Sequence, residues 1–287
     1  MEEIVSKAAT LLEALPYVQR FRSQVFVVKY GGSFMDSPDE EERHRVARDV
    51  VFLEAVGINP VVVHGGGKAI TRALEEAGVK AEFVHGQRRT NEATMEVVDR
   101  VLSREINPDI VKAIQEFGGK ARGFAGTEVF KCEKLQRDDD VDLGFVGDVY
   151  EVNVDPLRDC IRRSVTPVIS PTARGDDGKS YNCNADISAA KTAIALKARR
   201  LVFMSDVPGL LRDPNDAQSL ITHLQIDEVP DLRKRGIIAE GMIPKVDGAV
   251  AAIESGVEKV QFVDGRIPHS ILLEIFTDAG VGTEVVR

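Results

Sequence analysis

Five short runs of β-branched and other apolar residues, at 25–28, 60–63, 165–169, 201–204 and 259–263, alternate with stretches of helical periodicity. This alternation constrains the fold most, because parallel strands need a crossover long enough to hold a helix and so build βαβ units around a largely parallel sheet. The runs read as largely continuous apolar stretches and not as alternating ones, as expected of strands covered on both faces. Helices are expected over 41–56, 68–77, 91–117, 186–198 and 245–255. In the third of these, Met95, Val98, Leu102, Glu105 and Ile106 recur at spacings of three and four, and Pro108 should kink the helix. Residues 130–150 read as short strands joined by turns around Asp138–Asp140 and Gly144, a β-hairpin insertion. The composition breaks at 171–178, which reads as a hinge loop between two lobes.

The first twenty residues stand apart. Ile4, Ala8, Leu11 and Leu15 share one helical face, with Val5 and Leu12 beside them, and Pro16 should kink this helix too. Two readings are open: a helix packed on its own domain, or an arm that pairs with another subunit through its apolar stripe.

A chain of 287 residues, 43% of them apolar, can bury a full α/β core as one large domain or two small ones. Its 37 Lys and Arg against 46 Asp and Glu give a net charge of −9, which argues against nucleic acid or an anionic membrane as partner. No apolar run reaches the length of a membrane span, and Met1-Glu-Glu3 is acidic where a secretion signal needs a basic start. Cys132, Cys160 and Cys183 are odd in number and lack metal-ligand spacing, which suits unpaired thiols in a reducing compartment. A cytoplasmic protein without a protein-held metal is the expectation.

The chemistry-bearing signals are glycine turns set directly after strands. Val27-Val-Lys-Tyr-Gly-Gly-Ser33 and Val62-Val-His-Gly-Gly-Gly-Lys68 leave backbone N–H groups unobstructed at strand ends, and the second also opens a helix. Ligands of open parallel sheets bind at the carboxyl ends of strands, so both turns are expected to face one crevice as anion cradles. One such turn alone is as well explained by chain reversal; two of them, with Lys29 ahead of the first, argue together. Residues 173–180 nearly spell a P-loop, but Ala173 stands where its first glycine belongs and Tyr181-Asn-Cys-Asn where its helix should begin. The Gly-x-Gly-x-x-Gly dinucleotide fingerprint is missing, which disfavours a nicotinamide enzyme. The five histidines are scattered, and His64, inside the second turn, reads as a stabiliser of that turn before a catalyst. Asn182-Cys-Asn-Ala-Asp186 precedes an Ala-rich helix with more polar groups than one N-cap uses. Ser205-Asp-Val-Pro-Gly209 again follows a strand, and Gly241-Met-Ile-Pro-Lys245 brings a second lysine to a helix start, where the dipole favours anions.

In order along the chain, Lys29-Tyr-Gly-Gly32, His64-Gly-Gly-Gly67, Gly86-Gln-Arg-Arg-Thr90, Asn182-Cys-Asn-Ala-Asp186, Ser205-Asp-Val-Pro-Gly209 and Gly241-Met-Ile-Pro-Lys245 resemble the motifs of the amino acid kinase family. Val141-Asp-Leu-Gly-Phe-Val-Gly147 and the stretch Glu274 to Thr283 narrow the resemblance to the family's acetylglutamate branch. The resemblance implies an open αβα sandwich with a helical arm over 1–22, an acetylglutamate-binding lobe over 23–174 and a nucleotide-binding lobe over 175–287. It implies ATP, with Mg²⁺ held mainly by the ATP phosphates, as donor to the γ-carboxylate of N-acetyl-L-glutamate. A carboxyl of this type, with a pKa of about 4.3, is already ionised at neutral pH and needs no general base. The difficulty is bringing two anions together and stabilising the charge that moves between them. By resemblance, Lys29 holds the transferring phosphoryl group, Lys245 stabilises the leaving ADP phosphates, and Asp186 holds both ammonium groups. Gly31, Gly32, Gly66 and Gly67 supply N–H donors, Arg88 with Asn182 clamps the substrate α-carboxylate, and Ser205, Asp206 and Gly209 meet the nucleotide.

The chain departs from the family pattern at Gln87 and Arg89, where Leu and Val are usual, at Glu240, often glycine, and at Phe124-Ala125, where Leu-Ser is commoner. Arg89 sets a second cation beside the clamp, so the clamp could shift by one residue. The resemblance extends to regulation: residues 14–21 are similar to the extra helix that interlaces three dimers into a hexamer in arginine-inhibited members. Tyr17, Glu274 and Gly280 match their arginine-binding positions, while Gln261 stands where histidine is usual. L-arginine is therefore the expected inhibitor. Some lineages also bind a PII-type signalling protein, which the residues here do not decide. Two other readings, a different carboxylate kinase of this fold and a non-catalytic arginine sensor, are separated from the first by acceptor specificity and by turnover.

Overall fold

Strand β1 (Val25–Tyr30) shows why its run is apolar throughout: Val27 belongs to one buried core, Phe26 and Val28 to another. The same alternation holds along β2 (Asn59–His64), where Val61 and Val63 face the first core and Val62 the second. These cores lie on opposite faces of an eight-stranded sheet. Its order is β12 (His223–Gln225), β14 (Thr283–Val286), β13 (Lys259–Asp264), β11 (Arg200–Ser205), β1, β2, β8 (Thr166–Ile169) and β5 (Ala121–Phe124). Neighbours pair in parallel except β13 with β14.

Helices α7 (Ala185–Leu196) and α9 (Ile243–Glu254) cover the first face, and α2 (Glu40–Ala55), α5 (Asn107–Glu116) and α10 (Ser270–Phe276) the second. The architecture is thus an αβα sandwich, as expected, and each large core side chain contributes about 1.5–3 kcal/mol by leaving water. The computed structural model describes residues 2–287 apart from 33, 34, 36, 38, 85, 138–140, 239 and 279, and the side chains of these except 2–8 and 240. The expected turn at Asp138–Asp140, Ser33 of the first glycine turn, the Ile4, Val5 and Ala8 side chains and that of Glu240 lie outside the described residues.

The expected helices and strands appear within a few residues of their forecast bounds, and the insertion is present as an antiparallel hairpin of β6 (Phe130–Lys134) and β7 (Val146–Val152). Two expectations need correction. Residues 171–178 are not a hinge loop: β9 (Thr172–Gly175) and β10 (Ser180–Cys183) form a hairpin across them and close a four-stranded barrel with β6 and β7. The Gly and Asp residues that suggested a linker make the hairpin's turn. Nor does Pro108 break a single α-helix: α4 (Glu92–Asp99) passes into a π-helical segment, Arg100–Ile106, and Pro108 sits in the first turn of α5, where its missing N–H costs least.

Smaller elements complete the chain: α3 (Gly67–Glu76), the hairpin of β3 (Glu82–Val84) and β4 (Gln87–Arg89), α6 (Asp155–Arg162) and α8 (Val229–Lys234). Helix α1 (Glu2–Phe21) runs unbroken through Pro16. Its last turn packs on this domain, with Phe21 fully buried and the Tyr17 ring edge-on to Phe276 of α10. Farther back, Leu11 is 70% and Leu12 66% exposed. The helix is thus anchored on its own domain at one end, with Leu11, Leu12 and Leu15 of its apolar stripe exposed.

Candidate active site

Close packing of α7 on α9 sets the centre of the site. Gly248 leaves room for Ala190, since a Cβ on it would lie 3.2 Å from the alanine's, and so the two helix starts converge. Asn184 caps α7 by accepting from the amides of Asp186 (2.8 Å) and Ile187 (3.2 Å), which presents Asp186 from the first turn. Its carboxylate bridges two lysines from distant strands of sequence: Lys29 Nζ lies 3.0 Å from Oδ1 and Lys245 Nζ 2.8 Å from Oδ2. Burial would push the Asp186 carboxyl up, but the two ammonium groups outweigh it and hold the group below its ordinary range.

Lys29 and Asp186 of this bridge lie on the wall of a cleft of about 390 Å³ at the carboxyl ends of β1 and β2, while Lys245 stands behind Asp186, outside the lining. The cleft gathers Lys29, Gly31, Gly32, Gly66, Gly67, Arg88, Asn182, Asp186 and Asp206, so both glycine turns do face one crevice. Sterics account for Gly31 and Gly66 but not for Gly67. A Cβ on Gly31 would fall 2.4 Å from Lys29 Nζ, and one on Gly66 2.6 Å from Ile106 Cδ1, whereas Gly67 opens onto free space. Gly66 precedes α3, whose first amides have no acceptor within the helix and so point anion-binding donors at the cleft.

Arg88, on β4, is nearly buried beside these donors. Its Nη2 donates to the Gly67 carbonyl (2.9 Å) and Thr71 Oγ1 (2.8 Å), and its guanidinium stacks 4.6 Å over the Phe83 ring. Its Nη1 is buried without a partner among the described residues, which leaves one edge of the fork to a carboxylate. Burial pushes the Arg88 pKa down. Arg89 points elsewhere and pairs at 3.6 Å with Glu82 on the exposed side of the hairpin, so the second cation does not compete for the cleft. Gln87 lines the cleft and accepts from Arg137 at 3.1 Å. Asn182 donates from Nδ2 to Thr90 Oγ1 at 3.3 Å.

Ser205 and Gly209 are not on this wall. Ser205 ends β11, buried, with a hydroxyl that has no partner among the described residues. Gly209, at φ +146°, leaves no room for a side chain, since a Cβ would meet Thr283 Oγ1 at 2.4 Å. No cluster of three or more His, Cys, Asp or Glu suited to a metal occurs among the described residues.

His64 is fully buried below the second turn. Its Nδ1 lies 2.8 Å from the Gly65 carbonyl, and Asn107 Nδ2 lies 3.3 Å from its Nε2. Burial lowers its pKa to about 4, so the ring is neutral at physiological pH. Because the unfolded chain binds this proton near the ordinary 6.5, stability from His64 is present above pH 6.5 and lost as pH falls toward 4, by about 2 kcal/mol at pH 5. Asp49, raised to about 6 by burial, works in the opposite sense, since the folded state then takes up its proton first. Urea unfolding at pH 7.5 and 5.0 should therefore show the loss as a difference between wild type and His64→Asn, with the variant less acid-sensitive by that amount; equal sensitivity would refute it.

The second group of expected residues assembles around α10. Glu274 is buried and accepts from the amides of Val281 (2.7 Å) and Gly282 (3.1 Å) and from Gln261 Nε2 (3.2 Å). Gly280 has φ +62°, and a Cβ there would press 2.9 Å from Glu274 Oε2. Tyr17 donates to the Asp278 carboxylate, tying α1 to this corner. Sequence reasoning missed Arg200, which is buried at the start of β11 with its guanidinium 4.7 Å from the Phe21 ring centroid. Gln261 Oε1, also buried, has no partner among the described residues.

With this geometry in view, the comparisons are consistent with one another. The sequence model of the "Amino acid kinase family" matches residues 24–264. The acetylglutamate kinase of Aquifex aeolicus is 45% identical over 99% of both chains, and that of Clostridium beijerinckii 46% over 97% of this chain and 98% of its own. An N-acetylglutamate synthase of Neisseria gonorrhoeae, solved with coenzyme A and N-acetyl-glutamate, superposes with a TM-score of 0.86 at 23% identity; the match covers 98% of this chain and 63% of the synthase. The chain belongs to the amino acid kinase family, as a kinase of its acetylglutamate branch. No helix among the described residues is long and apolar enough to cross a membrane.

Proposed function

We propose that the protein phosphorylates the γ-carboxylate of N-acetyl-L-glutamate with ATP, giving N-acetyl-L-glutamyl 5-phosphate and ADP in arginine biosynthesis, in the cytoplasm. The observation that carries this reading is the Lys29–Asp186–Lys245 bridge set beside two glycine turns. Two ammonium groups fixed by one carboxylate suit a reaction in which a metaphosphate-like group passes from the bridging oxygen of ATP to the acceptor carboxylate while negative charge builds on the departing ADP. Lys29 holds the transferring group, Lys245 the departing ADP phosphates, and the amides of Gly31, Gly32, Gly66 and Gly67 the remaining oxygens. Arg88 and Asn182 take the α-carboxylate of the acceptor in the lobe spanning 23–174. The nucleotide lies against the 175–287 lobe near Ser205, Asp206 and Gly209. Mg²⁺ accompanies ATP and neutralises phosphate charge.

Regulation by L-arginine belongs to the same proposal. Among the described residues buried Arg200 has no carboxylate in contact and Gln261 Oε1 has no donor, and Glu274 lies between Gln261 and Gly280, so the corner offers charge of both signs to an amino acid. The exposed Leu11, Leu12 and Leu15 stripe of α1 supports interlacing of dimers into a hexamer.

Hydroxylamine traps the acyl phosphate as a hydroxamate. With Mg-ATP and N-acetylglutamate, glutamate, aspartate or carbamate in parallel, product is expected from N-acetylglutamate alone and should fall when arginine is added. Absence of hydroxamate from every acceptor would overturn the catalytic reading, and persistence under arginine the regulatory one.

A further inference from the structure

Behind the second glycine turn lies a buried polar pair, His64 and Asn107, neither of which lines the cleft. Asn107, the first residue of α5, directs its Nδ2 amide at the carbonyls of Val168 (3.0 Å) and Phe124 (3.4 Å) and at His64 Nε2 (3.3 Å). A carbonyl oxygen only accepts, so Nδ1, set against the Gly65 carbonyl, must carry the ring proton, and the unprotonated Nε2 faces the Asn107 NH₂ group, which its two carbonyl acceptors hold on that side. Nδ1–H then donates to the Gly65 carbonyl at 2.8 Å. Asn107 is held in turn by a space that only Gly123 leaves, where a Cβ would fall 2.2 Å from Oδ1.

The consequence lies in peptide geometry. In a planar trans peptide the C=O of residue 65 and the N–H of residue 66 point in opposite directions. Pinning the Gly65 carbonyl inward on His64 therefore turns the Gly66 N–H outward, into the cleft that Gly66 lines. A carbonyl that accepts a hydrogen bond also strengthens the donor on the far side of its peptide. We propose that His64, locked by Asn107 in its Nδ1–H tautomer, is a positioning residue that aims the Gly66 N–H at the transferring phosphoryl group. It touches no substrate. The inference rests on the proposed kinase reaction for its kinetic consequence but not for its tautomer.

Substitution separates the two nitrogens, because an asparagine amide can overlie Nδ1 and a glutamine amide Nε2. His64→Asn should retain kcat within about threefold, whereas His64→Gln and His64→Leu should lose about 30-fold or more in kcat with KM for both substrates nearly unchanged. Asn and Gln variants that lose activity equally, in step with their thermal stability, would overturn the proposal. Long-range ¹⁵N spectra of histidine-labelled protein, with His64 assigned by its absence from His64→Asn, should show Nδ1 protonated from pH 8 to pH 5. An Nε2–H ring would overturn it, whether or not the protein forms hydroxamate. If wild type forms none while the tautomer is Nδ1–H, the reaction falls and the pinned peptide stands.

Discussion

Asp186→Asn is expected to lower turnover about a thousandfold while KM for N-acetyl-L-glutamate stays within about threefold. The carboxylate is buried and makes two charged contacts, at 3.0 Å to Lys29 and 2.8 Å to Lys245. An asparagine keeps the size but not the charge and turns one acceptor oxygen into an NH₂ donor, so two mostly buried ammonium groups face each other without a counter-ion, and one of them without an acceptor. Each then swings toward water or toward a phosphate oxygen of the ground state. A lysine that has already collapsed onto the ground state contributes less when charge moves to the transferring group, and so the loss falls on kcat. Removing one partner of a buried charged network also costs about 3–5 kcal/mol of stability, so folding must be checked by circular dichroism and acetylglutamate binding by calorimetry. A folded, binding-competent Asp186→Asn variant within tenfold of wild-type turnover would remove Asp186 from its proposed role.

That triad was only partly legible in the sequence. The glycine turns and Lys29 announce an anion site because they follow β-branched runs that could hardly be anything but strands. The pairing of Asp186 with Lys245, 59 residues away, needs the small residues of α7 and α9 to bring two helix starts together, and no local pattern encodes that approach. Only the resemblance joined them. The sheet was legible wherever strands ran apolar for four residues or more. Strands β3 and β4 were missed because each is only three residues long: Phe83-Val84 is too short an apolar run to mark a strand, and Gln87-Arg-Arg89 has no apolar residue. Residues 171–178 were misread because turn chemistry looks the same in a tight hairpin and in a linker. Asn107 and Arg200 carried no local mark at all, since their meaning lies in what the fold sets against them.

Arg88→Lys is expected to raise KM for N-acetyl-L-glutamate about a hundredfold, with KM for ATP changed no more than about threefold. The guanidinium does two jobs at once. One edge holds the start of α3 through the Gly67 carbonyl (2.9 Å) and Thr71 (2.8 Å), and the other carries the unpartnered, buried Nη1. A single ammonium cannot span both, nor does it stack as a plane on Phe83. Losing a charge-assisted hydrogen bond to a buried carboxylate costs about 1.5–3 kcal/mol, and 1.4 kcal/mol is tenfold, which together set the hundredfold figure. The control is the neighbour. Arg89, half exposed and 3.6 Å from Glu82, should tolerate Arg89→Gln without a change in either KM. If Arg89→Gln raises KM for the acceptor and Arg88→Lys does not, the clamp is shifted by one residue and the hairpin must turn over when substrate binds. If Arg88→Lys weakens ATP as much as the acceptor, Arg88 serves the phosphates, and the carboxylate of N-acetylglutamate is recognised elsewhere in the cleft.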